Sequence, residues 1–276
     1  MKALRLPLYV FTLFLASTAF SQSEARKPDA QKPVRAADQS AKEIVLIGEM
    51  HGTQEMPRFF GNLVTVAARE MNQRVGAGLE LPSVLQPLID NAVKNNVTAD
   101  SFRRQLLADP DWQKFAKIQD GRSSQAMLDL ISYLLTLAES QKISFFFFDT
   151  QTNERNETMA QVIAQRVRQQ GNNVTYILAG NIHANKAPRY PFMKKTLIVP
   201  MGYRLEEQGF TVHSYDLRYS AGDAWYCGSS TDGCGVHHLE GYSLGEDHEG
   251  YDGVLFVGPL HASLPAHDSG PAKDAD

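Results

Sequence analysis

The sequence predicts an α/β fold, a mostly parallel sheet flanked by helices, and three observations carry that expectation. Five apolar runs have the length of buried strands: 44–47, 75–79, 143–148, 174–179 and 253–257. Segments with apolar residues spaced by three and four lie between most successive runs. They read as crossover helices, which keep strands parallel and cover both faces of a sheet. The runs also end on residues that are costly to bury: Glu49 with His51, Glu80, Asp149, Asn181 with His183, and His261. Parallel strands bring their C-terminal ends to one edge, where open α/β sheets bind ligands.

The N-terminus precedes that domain. Lys2 and Arg5 introduce an apolar run over about 6–16, followed by Ser17, Thr18 and Ala19. This is the pattern of a signal peptide over 1–21, cleaved after Ala19 or Ser21. The run is shorter than the ~20 apolar residues of a membrane span, so the mature form should have none. The expected location is periplasmic or secreted. Loss of Lys2 and Arg5 moves the formal charge from −4 to −6. A net negative chain with no basic, aromatic-studded stripe argues against a nucleic-acid partner. Residues 22–42 are polar and lack periodicity, and read as a disordered leader. The domain is expected over 43–262, with a polar tail over 263–276.

After the first strand, Phe59, Phe60, Leu63, Val66 and Ala67 mark the apolar face of a helix, with Pro57 in its first turn. Glu55 then lies at its N-terminus, close to the strand ends. Ser83 is the expected cap of a helix through Leu85, Leu88, Ile89, Ala92 and Val93. Thr98 caps a shorter one, which Asp109 and Pro110 break. Ser123 or Ser124 caps a long helix through Met127, Ile131 and Leu135. A helix over about 153–170 stops at Gly171. Residues 196–199 read as a further strand, 201–208 as a short helix, and 211–217 as a half-exposed strand. The stretch 220–251 is Gly-rich and shows no clear period. It holds both cysteines, Cys227 and Cys234, with six turn-forming residues between them. In an oxidising compartment these should form a disulfide worth roughly 2–3 kcal/mol. The alternative is a metal site with His237 and His238.

Glu49, Glu80 and Asp149 at one edge would repel one another unless a cation sits among them. That cation could be a metal ion held by Glu49, His51, Glu80 and His183, a workable nitrogen and oxygen ligand set. It could equally be an arginine: Arg58, Arg122 and Arg155 occupy loops or first turns within reach. A histidine beside a carboxylate is also the usual make-up of a general base. Metal-activated and histidine-activated water are both open at this point. The chain has no Gly-x-Ser-x-Gly elbow and no P-loop, which counts against a serine hydrolase of the usual kind and a P-loop nucleotidase.

An ordered series of short motifs resembles the superfamily that joins erythromycin esterases, ChaN-like haem-binding proteins and Tiki proteases. It comprises Gly48-Glu49-Met50-His51-Gly52 with Glu55, Leu79-Glu80, Asp120-Gly121-Arg122-Ser123, Asp149 with Arg155 and Met159-Ala160, Gly180-Asn181-Ile182-His183, Met201-Gly202 with Leu205, and Tyr251-Asp252. The resemblance implies a parallel α/β core with its site at the strand ends. In the esterase branch the first-motif histidine activates water with the help of glutamates, which corresponds to His51, Glu49 and Glu80. Asn181 and His183 match the later Asn-x-His. The Tiki branch implies a metal-dependent protease and the ChaN branch haem binding. One residue separates Glu49 from His51, a spacing closer to the ChaN-like branch than to the esterases.

The expected function is an exported hydrolase of the esterase, amidase or metallopeptidase type, acting on a small-molecule or peptide substrate. His51 with Glu49 would activate water. Glu80 and His183 would position it or bind a divalent metal, and Arg122 or Arg155 would steady the oxyanion. Glu55, Arg122, Asp149, Asn181 and His261 are the expected substrate ligands. The alternative is a non-catalytic haem- or metal-binding protein.

Overall fold

Among the described residues, six parallel strands lie side by side in the order 143–149, 75–82, 174–180, 43–49, 211–218 and 253–256. The computed structural model describes residues 42–70, 74–140, 142–191, 197–228, 233–242 and 248–266, all within the unit Gln39–Asp276. The expected signal peptide and leader (Lys42 apart), Thr196, the turn 229–232 and the tail beyond 266 lie outside them.

The central strands are β1 (Glu43–Glu49), β2 (Val75–Pro82) and β4 (Val174–Gly180), with β3 (Ile143–Asp149), β5 (Thr211–Arg218) and β8 (Gly253–Phe256) towards the edges. Glu49 pairs with Gly180 and Pro82 with Asp149, so the register brings the ends of β1, β2, β3 and β4 level. β2 and β3 are buried throughout, as continuous apolar runs in a two-sided parallel sheet should be.

One face is covered by α1 (Glu55–Glu70), α2 (Gln86–Lys94), α3 (Ala99–Ala108), α4 (Pro110–Ala116) and α5 (Gln125–Glu139), around Phe60, Val64, Trp112, Leu134 and Phe147. The other carries α6 (Arg155–Gln170), α7 (Asn181–Ala184) and α8 (Met201–Glu207), around Leu46, Phe148, Ile163 and Leu205. Thr98 and Ser124 cap α3 and α5 through their hydroxyls, and Gly171 ends α6 at φ +69°.

Several expectations are corrected. Val66 is half exposed while Val64 is buried, so the inner face of α1 is rotated from the one expected. Ser83 opens a 3₁₀ turn with no side-chain cap, and α2 follows it with a proline in its first turn. Asp109 ends α3 but also starts α4, since its carboxylate accepts from the Asp111 and Trp112 amides and Pro110 fits a first turn. Residues 197–199 form no strand; Leu197 is 77% exposed, and the Ile198 carbonyl accepts from the Tyr190 amide.

Part of the Gly-rich stretch is ordered as an antiparallel hairpin, β6 (Gly222–Cys227) and β7 (Cys234–Leu239), and the Cys227–Cys234 disulfide joins the two strands at its tip. The expected tail is docked as far as Ala266: the Ala266 amide bonds to the Ser123 carbonyl and Pro265 bridges Ser124. No helix among the described residues is long and apolar enough to cross a membrane.

Candidate functional site

The strand ends converge on one carboxylate. Glu80, 3% exposed at the end of β2, receives four cationic or imidazole groups on Oε1: Arg155 Nη2 at 2.6 Å, Arg122 Nη1 at 3.4 Å, His183 Nε2 at 3.6 Å and His51 Nε2 at 3.8 Å. Its Oε2 accepts the Gly180 amide at 2.7 Å. Burial pushes the Glu80 carboxyl up. His183, His51 and Arg122 together outweigh that and hold it well below its ordinary range.

The close approach depends on Gly180. A Cβ there would lie 2.9 Å from His51 Nε2, so the β4 end must be a glycine for the imidazole to reach Glu80. A second glycine contact seats the loop carrying His51. Gly52 has φ +77° and packs against the backbone of Trp225, whose amide donates to the Gly52 carbonyl. The β6–β7 hairpin is thereby fastened onto the His51 loop.

Asp149, at the end of β3, bridges the two arginines: Oδ2 accepts from Arg122 Nη1 at 2.5 Å and Oδ1 from Arg155 Nε at 2.7 Å. Gln151 Nε2 also donates to Oδ2. Arg122 is gripped by Asp120, with Nη2 at 2.6 Å and Nε at 3.0 Å from Oδ2, and lies over the Phe115 ring. Burial disfavours its charge, but the acids around it raise the guanidinium above its ordinary value.

The two histidines differ in charge. His51 Nδ1 lies 3.0 Å from Glu49 Oε1. Burial opposes its proton, but Glu80 and Glu49 lift the imidazole from 6.5 to about 10. At neutral pH it is an imidazolium. For His183, burial lowers the value, and Arg155, His51 and Arg122 lower it further against the pull of Glu80. Its tautomer follows from its neighbours. Asn156 Oδ1, 2.6 Å from Nδ1, can only accept, and Arg155 Nη1, 3.4 Å from Nε2, can only donate. His183 is therefore neutral, protonated on Nδ1, with its Nε2 lone pair turned into the cluster. Glu49 Oε2 is buried without a hydrogen-bond partner, an unspent acceptor in the same place.

Glu49, His51, Glu80, Arg122, Asp149, Arg155 and His183 thus meet as expected. The side chain of Asn181 does not join them: Oδ1 accepts from the Ile182 amide, and its carbonyl accepts the Tyr251 hydroxyl. Glu55 and His261 pair with each other instead, Nδ1 to Oε1 at 2.8 Å. Arg58 is exposed on α1 and takes no part. Sequence reasoning missed Asp120, Gln151 and Asn156. Asp120 lay inside a quoted motif, and Asn156 follows Arg155 directly in the first turn of α6.

A metal ion does not fit this arrangement. The cation among the carboxylates is a pair of arginines, and a dication on Glu80 Oε1 would share that oxygen with both guanidiniums. Among the described residues no group of three His, Cys, Asp or Glu is placed to hold a metal. The expected ligand set of Glu49, His51, Glu80 and His183 is corrected accordingly. For haem, either imidazole would have to turn its Nε2 from Glu80 to ligate iron.

No protein-family model matches the sequence, nor does any curated protein. Among solved structures, a Bacillus cereus protein is similar at a TM-score of 0.53 and 8% identity, over 82% of this chain and 91% of that one. ChaN of Campylobacter jejuni, described with cofacial haem binding, is similar at 0.44 and 13%, over 72% of this chain and 88% of ChaN. The erythromycin esterase EreC is similar at 0.44 and 13%, over 76% and 78%. At 8% identity the likeness to the Bacillus cereus protein is one of fold alone.

Proposed function

We propose that the protein hydrolyses an ester or amide bond, with His183 as the base that activates water. The observation that carries this is that two imidazoles face one carboxylate oxygen with different groups behind them: Glu49 at Nδ1 of His51, Asn156 Oδ1 at Nδ1 of His183 and Arg155 at its Nε2. A general base needs a bare nitrogen at working pH: burial and Arg155 hold the His183 value below the ordinary 6.5, whereas Glu80 and Glu49 raise that of His51 to about 10. The roles expected for the two histidines are therefore exchanged.

In this mechanism Nε2 of His183 takes a proton from water as the oxygen attacks the substrate carbonyl. Glu80, 3.6 Å away, stabilises the imidazolium that forms, and Asn156 keeps the ring oriented. The His51 imidazolium and Arg155 supply positive charge where the oxyanion develops. His183 then returns the proton to the leaving alcohol or amine as the carbon–oxygen or carbon–nitrogen bond breaks. Arg122, Asp149 and Asp120 hold Arg155 and Glu80 in place.

A cavity of about 470 Å³ lined by Arg155, Asn156, Glu157, Leu197, Val199 and Arg204 adjoins His183 through Asn156, and suits a small-molecule substrate or a short peptide side chain. The Cys227–Cys234 disulfide supports a place of action in an oxidising compartment, in keeping with the signal peptide expected at the N-terminus.

The test is hydrolysis of a panel of nitrophenyl esters and aminocoumarin amides by the purified protein, run beside a haem titration. Turnover that falls at least roughly a hundredfold in His183→Ala supports the proposal. Unchanged turnover in that variant overturns it. A saturable haem absorption band with no turnover by the wild type favours the rival, a ChaN-like binding protein.

A further inference from the structure

A second cavity shares no lining residue with the Glu80 cluster. It measures about 560 Å³ and lies between α1 and α5, under the strap that contains Ala262 and Leu264. Its α1 wall includes Pro57 and Arg58; its α5 wall includes Leu130 and Tyr133. Tyr133 and Leu264 are 39% and 57% exposed, so apolar surface stands open at this place.

The charges here are unevenly spent. Asp129, the one acid in the lining, accepts from Arg103 Nη1 at 2.7 Å and from Gln125 Nε2 at 3.0 Å. Glu55 is taken by His261, whose Nδ1 lies 2.8 Å and whose backbone amide 2.9 Å from its two oxygens. That leaves the outer nitrogen of a largely exposed imidazole without a partner among the described residues. Arg58, one helical turn beyond Glu55 on the same side of α1, also makes no ion pair or hydrogen bond among the described residues. The unspent charge of the cavity is therefore positive, set beside a hydrocarbon wall.

We infer that this cavity binds an amphipathic carboxylate. The carboxylate head takes Arg58, and the chain lies along Leu130, Tyr133 and Leu264. The Tyr133 hydroxyl is already bonded to Thr65 Oγ1, so the ring contributes its face. The site shares no residue with the Glu80 cluster and is independent of the hydrolase proposal.

The experiment is calorimetric titration of the full chain with octanoate, octanol and octylamine, repeated on Arg58→Gln, Leu264→Ser and His183→Ala. Saturable octanoate binding is expected, weakened roughly tenfold or more by Arg58→Gln. Leu264→Ser should weaken it as well, and His183→Ala should leave it unchanged. Octylamine should bind at least as weakly as octanol. Arg58 and Leu264 are exposed, and a thermal melt confirms that their variants fold. Absence of saturable octanoate binding, equal affinity for octylamine, or unaltered binding by Arg58→Gln overturns the inference.

Discussion

His51 and His183 present their Nε2 atoms to the same Oε1 of Glu80, at 3.8 and 3.6 Å, yet only His51 is doubly protonated at neutral pH. The difference lies in what holds the other side of each ring. A carboxylate, Glu49, faces His51 Nδ1; a neutral amide oxygen, Asn156, faces His183 Nδ1, and Arg155 stands at its Nε2. Two carboxylates keep one imidazole protonated against its burial, while burial, helped by a guanidinium, keeps its neighbour a base. Separating an acid from a base in this way is how one site runs both halves of a hydrolysis.

The pH profile follows from these two shifts. The His183 value is lowered below 6.5, so turnover should fall only when acid protonates it, and stay level through neutrality. The His51 value is about 10, so turnover should fall again as its proton is lost there. A kcat/KM profile checks both limbs. Stability should show a matching decline at high pH. The group with the raised value contributes its full stabilisation below 6.5 and loses it as pH rises through about 10. The Glu80 contribution is instead lost in acid, below 4.5.

Glu80→Gln removes the charge that two arginines and two histidines face. Unpaired buried cations should destabilise the fold by about 3–5 kcal/mol, read from denaturant unfolding. In the same variant the His51 value should fall from about 10 towards the ordinary imidazole range, followed by NMR titration.

How much of this was legible beforehand differs by residue. Glu49, Glu80, Asp149 and His183 could be placed because each ends an apolar run, and a parallel sheet brings such ends together. Arg122 and Arg155 could be named as the compensating cation, but the choice between arginine and metal could not be made, because it depends on side-chain reach. The charges of the histidines were hidden for a similar reason. Asn156 lies 27 residues from His183 in the chain, and Glu80 lies 29 from His51, so the partners that set protonation are not neighbours in sequence. Glu55 was drawn to the wrong place: being at the start of α1 puts it near the sheet edge, but its partner His261 holds it on the outer side. The hairpin escaped notice because its β7 alternates half-buried with exposed positions and has no apolar run.

Gly180→Ala should separate fold from chemistry. Its Cβ, 2.9 Å from His51 Nε2, must push the imidazole away from Glu80. Loss of oxyanion charge should lower kcat by about 10²–10³. Circular dichroism and KM should change little, since the strand ladder remains and the substrate cavity lies beside Arg155 and Asn156.

Cys227→Ser with Cys234→Ser should cost about 2–3 kcal/mol by the loop-entropy estimate. Because the hairpin is fastened to Gly52 through the Trp225 amide, the loss should appear in hydrogen exchange at Gly52 and Thr53 as well as at the tip. Exchange confined to the tip would mean that the hairpin does not brace the His51 loop.

The most direct measurement is long-range proton–nitrogen NMR of the imidazole nitrogens in the ¹⁵N-labelled protein at neutral pH. His183 should give one protonated nitrogen, Nδ1, and one bare nitrogen, Nε2, while both nitrogens of His51 should carry protons. A protonated His183 beside a neutral His51 would contradict the assignment of base and acid, and the proposed mechanism with it.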